Sequence, residues 1–470
     1  MSQFTFIVRC LLIFAGVAAT TTTARTEEKP RPDIVFIIVD DLNDWIGCLN
    51  GHPDAKSPNL DALAASGMLF STAYCNSPQC RPSRTSLNHG VYPFKTGTYF
   101  NAKAPNETNI TTPTMQQFFM ESGYRVASGG KVFHGNPGKV GDALFQRPRD
   151  PKPPEGKDNF NAMRAPNDGY ALDVVDKEMG DYKVAQWASQ EWRKVTENPL
   201  FMSVGFFRPH RPLQVPKSWF DQFPLESIRR PTEPDGVDDW ADMPEFARRL
   251  ARTHAHKPLH NGLSDHEYIV ANDQWDATIR AYHASVAFVD RQIGRFLESL
   301  KKNPRGRETF VMLVSDHGWH LGEKQHWGKW TGWQRSTRVP LLLVPPSGSS
   351  EKYALGKQCD SPVGLIDLYP TLLDLCKLPK VARLDGVSLR PLLQDPGLAS
   401  DRLVVTTFDK GNHALSGTRW RYIRYQDGSE ELYDRRKDPN EWVNLVSNNE
   451  HIPVRKRLSK ALDKIVVDSK

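Results

Sequence analysis

Cys80 stands in "SPQCRPSRTSLNHG", with Arg81, Pro82 and Arg84 directly after it. Pro82 suits the first turn of a helix. That places Cys80 just outside a helix N-terminus, where free N–H groups favour a thiolate and an incoming sulfate or phosphate. Arg84, one turn in, can return its guanidinium to the same point. A buried structural cysteine needs none of this company, so Cys80 is a candidate nucleophile at an anion-handling site.

Other reactive side chains follow short apolar runs that read as buried strands. Asp40 and Asp41 follow residues 34–39. Lys131 and His134 follow residues 124–127, in "SGGKVFH". Arg208 and His210 follow residues 200–206, in "FRPHRP". Asp316, His317 and Lys329 follow residues 310–314, in "SDHGWHLGEKQHWGK". Taken singly, an Asp pair caps a turn and a histidine satisfies a hydrogen bond. Taken together they converge, because an open α/β sheet binds ligands beyond the carboxyl ends of its strands. Asp40, Asp41 and Asp316 at one point would repel unless a cation sat among them. Their oxygens favour Ca2+, with Mg2+ second, and His317 is the softer neighbour.

The elements that must position these groups alternate along the chain. A fifth apolar run covers residues 339–344. "SPNLDALAASG" has Ser57 as N-cap, Pro58 in the first turn and Gly67 as the stop. "TPTMQQFFMESG" repeats this with Thr112, Pro113 and Gly123. Longer helical patterns cover 273–300 and 366–376. Strands alternating with helices indicate an α/β layer fold with a largely parallel sheet. Residues 136–170 and 208–262 read as long loops. From about residue 395 the pattern turns to alternating, antiparallel-like strands and a final charged helix. The expected division is a leader over 1–25, a catalytic domain over 30–394 and a small α+β subdomain over 395–470.

The chain has 470 residues and a formal net charge of +6. The charges are interspersed, which is no nucleic-acid signature, though a mildly basic surface suits a polyanionic substrate. Arg9, the apolar stretch 10–19 and the small residues after it form a secretory signal pattern, too short for a membrane span. The expected location is secreted or periplasmic, or lysosomal in a eukaryotic host. Asn106 and Asn109 lie in glycosylation sequons that matter only in such a host. With Cys10 in the leader, Cys48, Cys75, Cys359 and Cys376 could form two bridges or none beside Cys80.

"CRPSR" resembles the C-x-P-S-R signature of type I sulfatases, in the alkaline-phosphatase-like superfamily. "DIVFIIVDDLNDWIGCLNGHP", "SPNLDALAASGMLFSTAYC", "SDHGWHLGE", "RVPLLLVPP" and "ELYDRRKDPNEWVNL" are similar to sulfatase segments in the same order. "GKVFH" and "RPHRPLQVPKSWFDQFPLESI" are most similar to the iduronate-2-sulfatase branch, with Arg208 where a lysine is usual. Asn88-His89-Gly90 departs from the Leu-Thr-Gly-like continuation of the signature.

The resemblance implies an alkaline-phosphatase-like sandwich, with a large central sheet between helices and a small antiparallel C-terminal sheet. It implies that a formylglycine-generating enzyme oxidises Cys80, and that the hydrated aldehyde attacks the sulfur of a sulfated carbohydrate. Asp40, Asp41, Asp316, His317 and residue 80 would then hold the metal. Arg84 and Lys131 would steady the nucleophile. His210, Lys329 and Arg208 would bind the substrate, with His210 or Lys329 protonating the leaving hydroxyl. His134 would take the proton that re-forms the aldehyde. The implied substrate is the 2-O-sulfate of a uronic acid in a glycosaminoglycan or algal polysaccharide. Arg211, His254, His256 and Lys257 are further basic groups available to its carboxylate. The alternatives are a phosphatase or phosphodiesterase of the same superfamily, or a non-enzymatic sulfated-glycan binder if Cys80 stays unmodified.

Overall fold

Asp33–Val39 is fully buried, and in the computed structural model it lies inside an eight-stranded sheet. The described residues are 31–102, 110–135, 140–152, 169–234, 236, 238–252, 262–398 and 400–467. The leader, both sequons, His254, His256 and Lys257 therefore lie outside them. The described residues from 32 onward form one compact unit.

The sheet order is Lys357–Cys359, Met68–Phe70, Leu341–Val344, Thr309–Ser315, Asp33–Val39, Leu200–Phe206, Arg125–Gly130, Ala143–Phe145. Leu341–Val344 runs antiparallel to both neighbours, and the other pairings are parallel. The central strands read as continuous Val, Ile, Leu and Phe because helices and loops cover both faces. One face packs on Trp275–Lys301 and Gly180–Trp192, the other on Met115–Glu121 and Leu368–Leu375. A second sheet is antiparallel, in the order Val404–Thr407, His413–Ser416, Trp420–Arg424, Glu430–Asp434, and Ile452–Val467 closes the chain. Among the described residues no helix is long and apolar enough to cross a membrane.

Several expected boundaries move for local reasons. Thr114, not Thr112, caps Met115–Glu121, through a reciprocal box with Gln117. Ser57 does precede Pro58–Ser66, but its hydroxyl bonds Gly47 N and Asp61 Oδ1 rather than capping. Among its described residues the loop 208–262 carries the α-helices Lys217–Phe220 and Glu245–Arg252, and its Gln214–Pro216 pairs with Tyr170–Leu172. Met68–Phe70, Ala143–Phe145 and Lys357–Cys359 are three residues each, too short to show a period. Cys48, Cys75, Cys80 and Cys359 carry no disulfide.

Candidate active site

Asp33–Val39, Arg125–Gly130, Leu200–Phe206 and Thr309–Ser315 are mutually parallel neighbours, so their carboxyl ends open on one side. Asp40, Lys131, His210 and Asp316 emerge there. Gly130 makes one of these exits possible. It has φ +74°, and a Cβ there would stand 2.0 Å from the Gly205 carbonyl oxygen. The chain turns out of the strand, and Lys131 N donates to that carbonyl at 2.8 Å.

Cys80 is the first residue of the helix Cys80–His89, with Gln79 as its cap. The expectation placed it one residue outside. Pro82 holds the first turn as expected. The two arginines diverge. Arg81 turns to the carbonyls of Phe100 and Ala102 at 3.4 and 3.1 Å. Arg84 turns inward. Its Nε donates to Asp316 Oδ2 at 2.9 Å and its Nη2 to Asp40 Oδ1 at 3.2 Å. Ser83 Oγ donates to the Asp316 carbonyl at 2.5 Å. The motif thus bolts the helix start to two strand ends. Asn88, in the departing segment, donates to the Arg84 carbonyl at 2.8 Å and accepts from Gln116 at 2.8 Å. Its side chain serves the helix.

Cys80 Sγ is buried among charged groups. Lys329 Nζ is 3.1 Å away, His317 Nε2 3.4 Å, Asp40 Oδ1 3.6 Å and Lys131 Nζ 3.8 Å. Burial alone would raise its pKa. The charges of Lys131 and Lys329, with hydrogen bonds from His134 and His210, hold it well below the ordinary thiol value. Lys329 also donates to Asp41 Oδ1 at 2.6 Å, and Lys131 pairs with Asp40 Oδ2. Burial opposes the charge on Lys329, but Asp41 and Cys80 keep it protonated.

The acids are held in place by their own scaffold. Asp41 has φ +62°, uncommon for a residue with a side chain. Tyr282 fixes it, donating its hydroxyl to the Asp41 carbonyl at 2.8 Å and accepting from Asn43 N at 2.9 Å. Asp316 Oδ1 accepts from Asp41 N at 3.2 Å and His317 N at 3.0 Å. Tyr282 lies mid-helix, 241 positions from Asp41, and no sequence signal marks it.

These residues fit a cation. Ligand atoms of Asp40, Cys80, Asp316 and His317 lie within 4.8 Å of one another, as do those of Asp40, Asp41, Cys80 and His210. Asp41 Oδ2 is buried with no hydrogen-bond partner, and His210 Nε2 is 4.0 Å from it. Burial and the charge of Asp40 push Asp316 above the usual carboxylate range despite Arg84. An unpaired buried carboxylate oxygen beside two further carboxylates is what a hard cation would relieve.

The Arg208 side chain makes its hydrogen bonds within its own loop and to Asp150. Its guanidinium donates to the carbonyls of His210 and Pro212 at 2.8 and 2.6 Å and to Asp150 at 2.5 Å. These contacts shape the loop that carries His210, while the Arg208 Nε is buried without a hydrogen-bond partner. Arg208→Ala should therefore cost about 2–4 kcal/mol of stability, since it strands a carboxylate and two carbonyls. Chemical denaturation checks this; an unchanged midpoint would return Arg208 to the substrate. The C-terminal sheet braces the loop bearing Lys329. Arg421 Nη1 donates to the Gly332 carbonyl at 2.7 Å, and Trp333 Nε1 donates to Glu431 at 2.8 Å. A separate cavity of about 520 Å3, lined by Trp45, His52, Arg335 and Trp442 among others, includes none of the Cys80 cluster.

The family model described as "Sulfatase" matches residues 32–378. The chain belongs to the sulfatase family. A second model, "N-sulphoglucosamine sulphohydrolase, C-terminal", matches 322–468. The sulfatase is 34% identical to a sulfatase of Formosa agariphila, over 91% of this chain and 86% of that one. It is 29% identical to human iduronate 2-sulfatase, over 77% of this chain and 72% of that one. Among solved structures it is similar to a phosphonate monoester hydrolase of Agrobacterium radiobacter, with TM-score 0.73, 21% identity and 94% and 96% coverage. That likeness shows the fold: a mostly parallel sheet between helices plus a small antiparallel sheet. Membership makes the sulfatase a sulfuric ester hydrolase, as "CRPSR" and its companions led one to expect.

Proposed function

We propose that this enzyme removes the 2-O-sulfate of a uronic acid at the end of a glycosaminoglycan or algal oligosaccharide, using a formylglycine made from Cys80. The observation that carries the chemistry is the position of Cys80 Sγ, with Lys329 and Lys131 at 3.1 and 3.8 Å and two histidines in hydrogen-bonding reach. Sγ marks the place of the oxygens that oxidation and hydration would create. The modified residue would supply a hydroxyl nucleophile with a second hydroxyl beside it. Asp40, Asp41, Asp316 and His317 would hold Ca2+, which would lower the pKa of an oxygen bound to it.

The remaining work falls to the chain's own side chains. Lys329 is a buried cation and Lys131 a part-buried one, both close to the reacting position, where they would stabilise negative charge on the sulfuryl oxygens. Arg84 stays on Asp40 and Asp316 and fixes both. His210 Nδ1 faces the Arg211 carbonyl at 2.5 Å, leaving Nε2 turned towards Asp41 and the substrate side. His210 is thus placed to protonate the leaving sugar oxygen, and His134 to accept a proton from residue 80. The 2-O-uronate assignment draws on the likeness to iduronate 2-sulfatase and on the spacing of Lys131 and His134. Maturation would need a formylglycine-generating enzyme, and the leader pattern supports export.

Disaccharides sulfated at the 2-O, 4-O, 6-O and N positions test the assignment. The 2-O-sulfated uronosyl substrate should be hydrolysed with kcat/KM at least about 100-fold above the others. Preferential release from a 6-O- or N-sulfated hexosamine would overturn it and leave family membership intact.

A further inference from the structure

Phe207 gathers cations around its ring. The Arg147 guanidinium carbon is 3.1 Å from the ring centroid, and Lys131 Nζ and the Arg208 guanidinium carbon are each 5.1 Å away. The His210 ring packs on it at 4.6 Å. Three of the four are engaged. Lys131 pairs with Asp40 beside Cys80. Arg208 is tied to Asp150 and two carbonyls. His210 faces Asp41.

Among the described residues Arg147 is tied only by a long ion pair. Asp150 Oδ2 is 4.0 Å from its Nη2, outside hydrogen-bond range, and already accepts from Arg208 at 2.5 Å. Among the described residues its guanidinium makes no hydrogen bond. Its side chain is 35% exposed. At 3.1 Å from the centroid the group is held against the aromatic face, with N–H donors available to an anion. Burial lowers its pKa, and Asp40 is among the acids whose field reaches it. A partly desolvated cation within the field of the reaction centre gains more from an anion than a solvated one does.

We propose that Arg147, braced on Phe207, binds a second anionic group of the substrate, the carboxylate of the same uronate whose sulfate lies at residue 80. This rests on the uronate reading above. Phe207 is the link: its ring touches both Lys131 and His210, which flank the sulfate position, and Arg147. One sugar carrying two acidic groups would engage both.

Two disaccharides test it, identical in their 2-O-sulfated uronosyl unit except that one carboxylate is reduced to the alcohol. The readout is the ratio of kcat/KM for acid over alcohol, which does not depend on the fraction of active enzyme. Wild type should prefer the acid, and Arg147→Ala should lower that ratio roughly 10- to 100-fold, mainly through KM for the acid. Arg147→Lys should recover part of it. A wild-type preference that survives intact in Arg147→Ala would overturn the role of Arg147 while leaving the uronate reading standing. No preference in wild type would overturn the uronate reading itself, and the Arg147 proposal with it.

Discussion

Cys80→Ser should lower turnover of every sulfate ester by about 10,000-fold or more. The replacement is small, and Lys131, Lys329 and Arg84 keep their partners on Asp40, Asp41 and Asp316, so the site should stay assembled. Serine offers one hydroxyl. If sulfate is transferred to it, the ester has no second hydroxyl beside it to expel sulfate, and the enzyme stops after one event. Steady-state assays would show the loss. Intact mass would show whether about 80 Da of trapped sulfate accumulates. Turnover within tenfold of wild type would mean that the oxidised residue is not needed.

Asp40→Asn and Asp316→Asn should each lower kcat by about 1,000-fold, and elemental analysis should show the metal, calcium on the proposal above, lost from the chain. Both carboxylates are fully buried and both hold Arg84. Asp40 also pairs with Lys131. Opposing burial, the charges of Lys131, His210 and Arg84 hold Asp40 well below the ordinary carboxylate range, so it is an anion at any working pH. Neutralising it takes a carboxylate partner from Arg84 and Lys131 and would remove one of the proposed metal ligands, which should cost about 3–5 kcal/mol of stability. Assays are therefore run below the unfolding midpoint of each variant. A near wild-type rate in either would remove that carboxylate from the metal site. Two zinc ions per chain in the wild type would point to the phosphatase reading.

Much of this site was legible because strand ends carry short, dense chemistry. "VDD", "SDHG" and "GGK" each join an apolar run to a charged pair or a lysine, and the parallel sheet brings them together. "CRPSR" was legible down to its arginine, since a helix start fixes where residues one turn apart point. What was not legible is set by contacts distant in sequence. Nothing near Asp41 indicates that Tyr282 holds its backbone. Nothing in "FRPHRP" indicates that Arg208 turns back onto Asp150, 58 positions earlier. Arg147 sits in a polar, proline-rich stretch with no period, and only the position of Phe207 gives it meaning. The short outer strands were missed because three residues carry no pattern, while their pairing partners are supplied by the rest of the sheet.

The most direct measurement is the mass of the tryptic peptide spanning residues 57–84, taken from enzyme of known specific activity. Trypsin leaves Arg81-Pro82 intact, so one peptide carries Cys80 together with Arg84. Conversion of the thiol to the aldehyde removes about 18 Da. This loss is expected at position 80, in a fraction that rises and falls with kcat when a formylglycine-generating enzyme is co-expressed or withheld. Full activity in a preparation whose Cys80 is entirely an unmodified thiol would contradict it.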